Sequence, residues 1–97
     1  MKSLEKEIRT KEVNKLFQAI LKLNTEKECA SFLRDLLTVE EIKELSRRWQ
    51  VAKMLSNNET FAQIEKRTGM SSTTIARINY WIHHGTGGYR ELLKRVS

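Results

Sequence analysis

Four small hydroxyl side chains in succession, Ser71-Ser72-Thr73-Thr74, with Arg77 three positions beyond, are the residues best suited to surface recognition. Short hydroxyls approach a base edge or a phosphate closely, and an arginine can make two parallel hydrogen bonds to one acceptor group. Lys66 and Arg67 precede them on the other side of Gly69, as cations suited to a phosphate backbone. A plainer reading makes one hydroxyl a helix cap and the rest polar surface, but four in a row followed by arginine exceed that need. The other reactive residue types form no site. His83 and His84 adjoin, so on a helix they point ~100° apart and do not chelate one ion. Gly85-Thr86-Gly87-Gly88 lacks the lysine and preceding strand of a phosphate loop and reads as a helix stop. Cys29 has no activating neighbour and reads as a packed small hydrophobe. Asp35 is the only aspartate, and no Ser–His or paired-carboxylate set is evident, so an enzyme is not expected.

The residues around these side chains must position them. Residues 60–82, TFAQIEKRTGMSSTTIARINYWI, read as helix, glycine turn, helix. Gly69 supplies the left-handed conformation that a tight turn needs. Ile64 faces inward on the first helix, and Ile75, Ile78 and Ile82 share one face of the second. Thr73, Ala76, Arg77 and Tyr80 then point away from the isoleucines, with Ser72 and Thr74 flanking them at the end that enters a major groove first.

The rest of the chain is helical by periodicity. Val13, Leu16, Phe17, Ile20 and Leu21 make one apolar stripe on a helix over about 3–22. Thr25 with Glu28, Thr38 with Glu41 and Thr60 with Gln63 each have the spacing of a capping box. They predict helices over about 26–36, 39–56 and 61–68. Ile42, Leu45, Trp49, Ala52 and Leu55 are the predicted buried side of the long one. Ser71 or Ser72 caps a helix to about 83, and 89–96 forms the last. Six helices in a single domain over 1–97 are expected, the all-α class, and proline is absent.

Composition narrows the partner. Apolar residues make up 39% of the chain, and the four glycines do not raise that share to the about 45–50% usual in soluble domains. A second subunit sharing the core would relieve the shortage. Of the net charge of +6, residues 60–97 hold most, with six basic and two acidic side chains. A polyanion is the obvious partner. No apolar run approaches a membrane span, and MKSLEKEIRTKEVNK alternates charge with no apolar secretory core. A cytoplasmic location without membrane attachment is expected, consistent with a lone cysteine.

From Leu36 to Val96 the chain resembles the Trp repressor family, particularly its YerC/YecD-type branch. The likeness rests on LLTVEEIKELSRRWQVAKML, Ile64–Gly69, TTIARIN and the terminal YRELLKRV. It implies a helix-turn-helix fold assembled as an intertwined homodimer, with 1–57 as dimerisation helices, 60–83 as the reading motif and 89–96 as a C-terminal helix. It also implies a DNA-binding transcriptional regulator, a repressor, on a near-palindromic operator, with Lys66, Arg67, Ser71, Ser72, Thr73, Thr74, Ala76, Arg77 and Tyr80 at the DNA. Glu65 stands where many such motifs have alanine, but the resembling family accepts a charge there.

The resemblance further implies an effector pocket at Thr38, Arg48, Arg77, Ile78 and Trp81. Arg48 and Arg77 match the two arginines that hold an indole in the family. Ile78 stands in place of its pocket glycine and Trp81 in place of a serine that helps bind the amino group. A branched side chain in the slot and a missing hydroxyl speak against free L-tryptophan as corepressor. No cofactor or metal is expected, and the sequence identifies no effector. Two other functions fit the same basic helices: a protein–protein interaction module docking on an acidic partner, and a non-specific nucleic-acid binder.

Overall fold

The computed structural model describes residues 8–97, which hold six helices and no strand: α1 (Lys11–Ile20), α2 (Glu26–Leu36), α3 (Val39–Ser56), α4 (Phe61–Thr68), α5 (Ser72–His84) and α6 (Gly88–Val96). The chain divides into two compact units, residues 1–38 and 39–97.

In the first unit, the predicted helix over 3–22 is interrupted and ends earlier: residues 3–7 lie outside the described part, Ile8 is helical, Arg9 and Thr10 are not, and α1 runs over Lys11–Ile20. Thr10 is extended, and its Oγ1 accepts the Val13 N–H at 3.2 Å. A threonine that caps offers the backbone an alternative to helix, so the chain restarts there. In α2 the Thr25 hydroxyl accepts the Glu28 N–H at 3.1 Å, as expected. The carboxylate of Glu28 reaches one residue further back than a capping box requires, to the Asn24 N–H at 2.9 Å. Neither α1 nor α2 buries a residue. Phe17 and Ile20 of the predicted stripe are exposed, and Leu21 is 81% exposed. Cys29 is a half-buried free thiol.

The second unit has a core of its own. Val51, Ala52 and Met54 from α3, Ile64 from α4 and Ile75 and Ile78 from α5 are buried together. Trp49, Leu55, Met70, Ile82 and Tyr89 pack against them. The long helix α3 touches α4, α5 and α6, and α5 touches both of its neighbours. The predicted buried side of α3 is only partly right: Ala52 is buried, whereas Leu45 is exposed and Val51 and Met54 take the central places. The C-terminal half of α3 is flanked by several helices at once, which buries a wider arc than one stripe.

Local hydrogen bonds set where each helix stops. After α3, Asn58 takes the left-handed conformation (φ 61°). Its N–H bonds the Leu55 carbonyl and the Glu59 N–H bonds the Met54 carbonyl, a Schellman closure. Thr60 and Gln63 form both bonds of a capping box, at 3.2 and 2.8 Å. Gly69 (φ 73°) ends α4, and the Ser71 hydroxyl then accepts the Thr74 N–H at 3.2 Å to start α5. The α5 helix ends at Gly85, where an added Cβ would collide with the Trp81 carbonyl oxygen. Arg90 of α6 reaches back and donates to the carbonyls of Ile82 and His83, at 3.4 and 3.3 Å.

Ile75 is fully buried among side chains from three helices. Ile75→Ala is expected to destabilise the protein by about 2–5 kcal/mol in chemical denaturation, because the surrounding helices collapse only partly into the cavity.

Candidate nucleic-acid interface

The α5 helix presents two unlike faces. Ile75 and Ile78 are buried, while Ser72, Thr73, Ala76, Arg77 and Tyr80 are exposed on the other side. That division follows from the 3.6-residue period: the isoleucine contacts fix the rotation of the helix and so fix which residues face outward. Of the four hydroxyls, Ser71 is the cap. Its Oγ accepts the Thr74 N–H and donates to Thr74 Oγ1 at 3.1 Å, which ties Thr74 into the same end structure. Ser72 and Thr73 make no side-chain hydrogen bond among the described residues and stand free at the open end of the helix. Here unpaired backbone N–H groups and the positive end of the helix dipole favour anions.

Two cations of this motif have no acidic partner among the described residues: Lys66, on the last turn of α4, and Arg77, on the exposed face of α5. Arg67 differs, because its Nη1 lies 2.7 Å from Glu59 Oε1. That pair was not anticipated from the sequence. A spacing of eight matches no helical i,i+3 or i,i+4 rule, and it arises because Glu59 sits in the turn that precedes α4. At the far end of the exposed face, the rings of Tyr80 and Trp81 meet edge-on at 5.5 Å, and the His84 ring lies 4.9 Å from Tyr80.

Four of the residues expected at an effector pocket, Arg48, Arg77, Ile78 and Trp81, lie in the second unit and differ in their contacts; Thr38 belongs to the first. Arg48 donates through Nε to Glu44 Oε2 at 3.3 Å, a carboxylate that also pairs with Arg47. Ile78 is 3% exposed and is part of the core. Trp81 instead lines a cavity of about 540 Å³ with Trp49, Tyr89 and Leu92, closed at one side by Gly85 and Gly88. Trp49 and Tyr89 lie parallel there, with ring centroids 6.4 Å apart. Neither Arg48 nor Arg77 lines this cavity. Sequence periodicity gave Trp49 a place on a buried stripe but no sign of a space beside it. Among the described residues no group of three or more His, Cys, Asp or Glu side chains is placed to hold a metal ion. No described helix is long and apolar enough to cross a membrane.

Known proteins share this arrangement. The family model for the Trp repressor protein matches residues 11–97. The uncharacterized protein YerC of Bacillus subtilis (strain 168) is 40% identical over 90 residues, which is 93% of this chain and 86% of YerC. The crystal structure of a TrpR like protein from Eubacterium eligens ATCC 27750 superposes with a TM-score of 0.89 at 40% identity, covering 94% of each chain. A structure from Staphylococcus aureus gives 0.88 at 41% identity over 94% of this chain and 91% of that one. The helix order, the glycine turn and the matched length agree in one conclusion: the chain belongs to the Trp repressor family, in its YerC-like branch.

Proposed function

We propose that the protein is a homodimeric transcriptional regulator, a repressor, that reads a near-palindromic operator in double-stranded DNA. The observation that carries this reading is the exposed face of α5, where Ser72, Thr73, Ala76, Arg77 and Tyr80 stand opposite a rigid isoleucine core. Membership of a helix-turn-helix family of DNA-binding regulators supports it. In the reading pose Arg77 makes a bidentate base contact and Ser72 and Thr73 approach base edges or phosphates near the helix start. Lys66 binds phosphate. Ser71 and Thr74 hold the end of the helix in the conformation that aims its N–H groups at the DNA. Tyr80 packs along the sugar–phosphate edge.

The dimer is argued from the first unit. Two amphipathic helices that bury no residue of their own need an apolar surface to cover them, and a second copy supplies an equal one. A two-fold axis then sets the two α5 helices one DNA turn apart, ~34 Å, matching a palindromic site. In this assembly residues 1–57 hold the dimer, 60–83 read, and 89–96 close the single domain. DNA in a bacterial cytoplasm is the fitting location for such a regulator. Free L-tryptophan has no part in the mechanism, because the Ile78 side chain fills a core position and Arg48 is paired with Glu44.

Three outcomes test the proposal. Sedimentation equilibrium at micromolar concentration should give a dimer, and a compact folded monomer would refute the assembly. A binding site selected from a random duplex library should lose about 1–3 kcal/mol of affinity with Arg77→Ala while circular dichroism stays native. Equal affinity for the selected site and random duplex at fixed salt would identify a non-specific binder instead. Calorimetric titration with L-tryptophan should show no saturable heat and leave DNA affinity unchanged; one tryptophan bound per subunit with tighter DNA binding would restore the corepressor pocket.

A further inference from the structure

We propose that Glu59 withholds Arg67 from the DNA backbone, so that α4 offers a bound duplex one effective cation, Lys66, and not two. The inference rests on the DNA-binding reading above and refines it. By position the two cations look equivalent, since both lie on the last turn of α4 beside the Gly69 turn. Their surroundings are not. Lys66 is exposed and has no acidic partner among the described residues, whereas Arg67 Nη1 lies 2.7 Å from Glu59 Oε1.

This pair is unlike the other ion pairs of the described residues. Those join i,i+3 or i,i+4 neighbours on one helix at 3.3–3.8 Å, with every side chain at least 42% exposed. The Glu59 side chain is 25% exposed and its backbone is held: its N–H bonds the Met54 carbonyl, Asn58 before it is left-handed, and Thr60 after it is the α4 cap. The backbone that carries the carboxylate is therefore set before DNA arrives, and the more exposed partner is the arginine. A short, partly shielded pair on a preorganised acid is stronger than a wholly solvated one. To a phosphate at this end of α4 the pair is a neutral dipole. Counterion release follows the number of phosphates that cations neutralise, so a cancelled arginine adds nothing to it. Glu59 thus holds down the sequence-independent part of the affinity without touching the residues that read bases.

The test compares the dependence of duplex affinity on salt for five forms of the full chain, using the selected site and a random duplex of equal length. Lys66→Gln and Arg67→Gln change net charge equally. Lys66→Gln should make the slope of log K against log salt shallower by about 0.9 per subunit, about 1.8 for the dimer, and Arg67→Gln should leave it unchanged. Glu59→Gln frees the arginine and should steepen the slope by about 0.9 per subunit, about 1.8 for the dimer, tightening both duplexes and keeping their ratio. The double variant Glu59→Gln/Arg67→Gln should return to the slope of the unsubstituted protein. An equal fall for Arg67→Gln and Lys66→Gln would overturn the proposal, as would an unchanged slope for Glu59→Gln. If Arg67→Gln does not fold, as judged by circular dichroism, the Glu59→Gln slope alone decides. Failure of the unsubstituted protein to bind either duplex would defeat the DNA-binding reading itself, which the slopes of the variants distinguish from failure of this proposal alone.

Discussion

Everything outward-facing in the second unit depends on the contact between Ile64 of α4 and Ile75 and Ile78 of α5 over the Val51–Met54 segment of α3. A helix of eight residues such as α4 does not hold itself together in water, because nucleation costs more than so few hydrogen bonds return. It exists because its one buried residue, Ile64, is fixed in a shared core, its start is closed by a complete capping box and its end by a left-handed glycine. The same core sets the rotation of α5. A turn of ~100° about that axis would exchange Arg77 for Ile78 at the surface. Core packing and recognition are therefore one constraint seen from two sides of one helix.

Much of this was legible in the sequence because it is written in local chemistry. Thr25, Thr60 and Ser71 cap where their spacing said they would, and the isoleucine period separated the buried from the exposed side of α5. The failures share a physical origin. Thr10 has no glutamate three residues on, so its capping role carried no paired signal. Leu45 and Val51 exchanged expected roles because burial on α3 is decided by three helices that arrive from later in the chain. The Glu59–Arg67 pair depends on the path of a turn, which residue spacing alone does not encode.

The two units differ in what they lack. The second has a closed set of buried side chains and well-capped ends; the first has sound helices and no interior. A stripe such as Val13, Leu16, Phe17 and Ile20 is specified as strongly as any core stripe, yet Phe17 and Ile20 remain open to water. What the first unit lacks is burial and not apolar residues: 16 of its 38 residues are apolar, against 22 of 59 in the second. Helices that leave such a stripe open carry apolar surface still to be covered.

Arg90 and Gly85 together give the last helix a mechanical part in reading. The carbonyls at the end of α5 are held by a side chain from α6, and the backbone passes Trp81 so closely that only glycine fits. The reading helix is consequently clamped at its tail as well as along its buried side, like a lever seated in a hinge with no play. Insertions in the Thr86–Gly88 connector would loosen that hinge while leaving every outward-facing residue of α5 in place. The way α5 presents its outward face can therefore change through a segment that lies outside the helix.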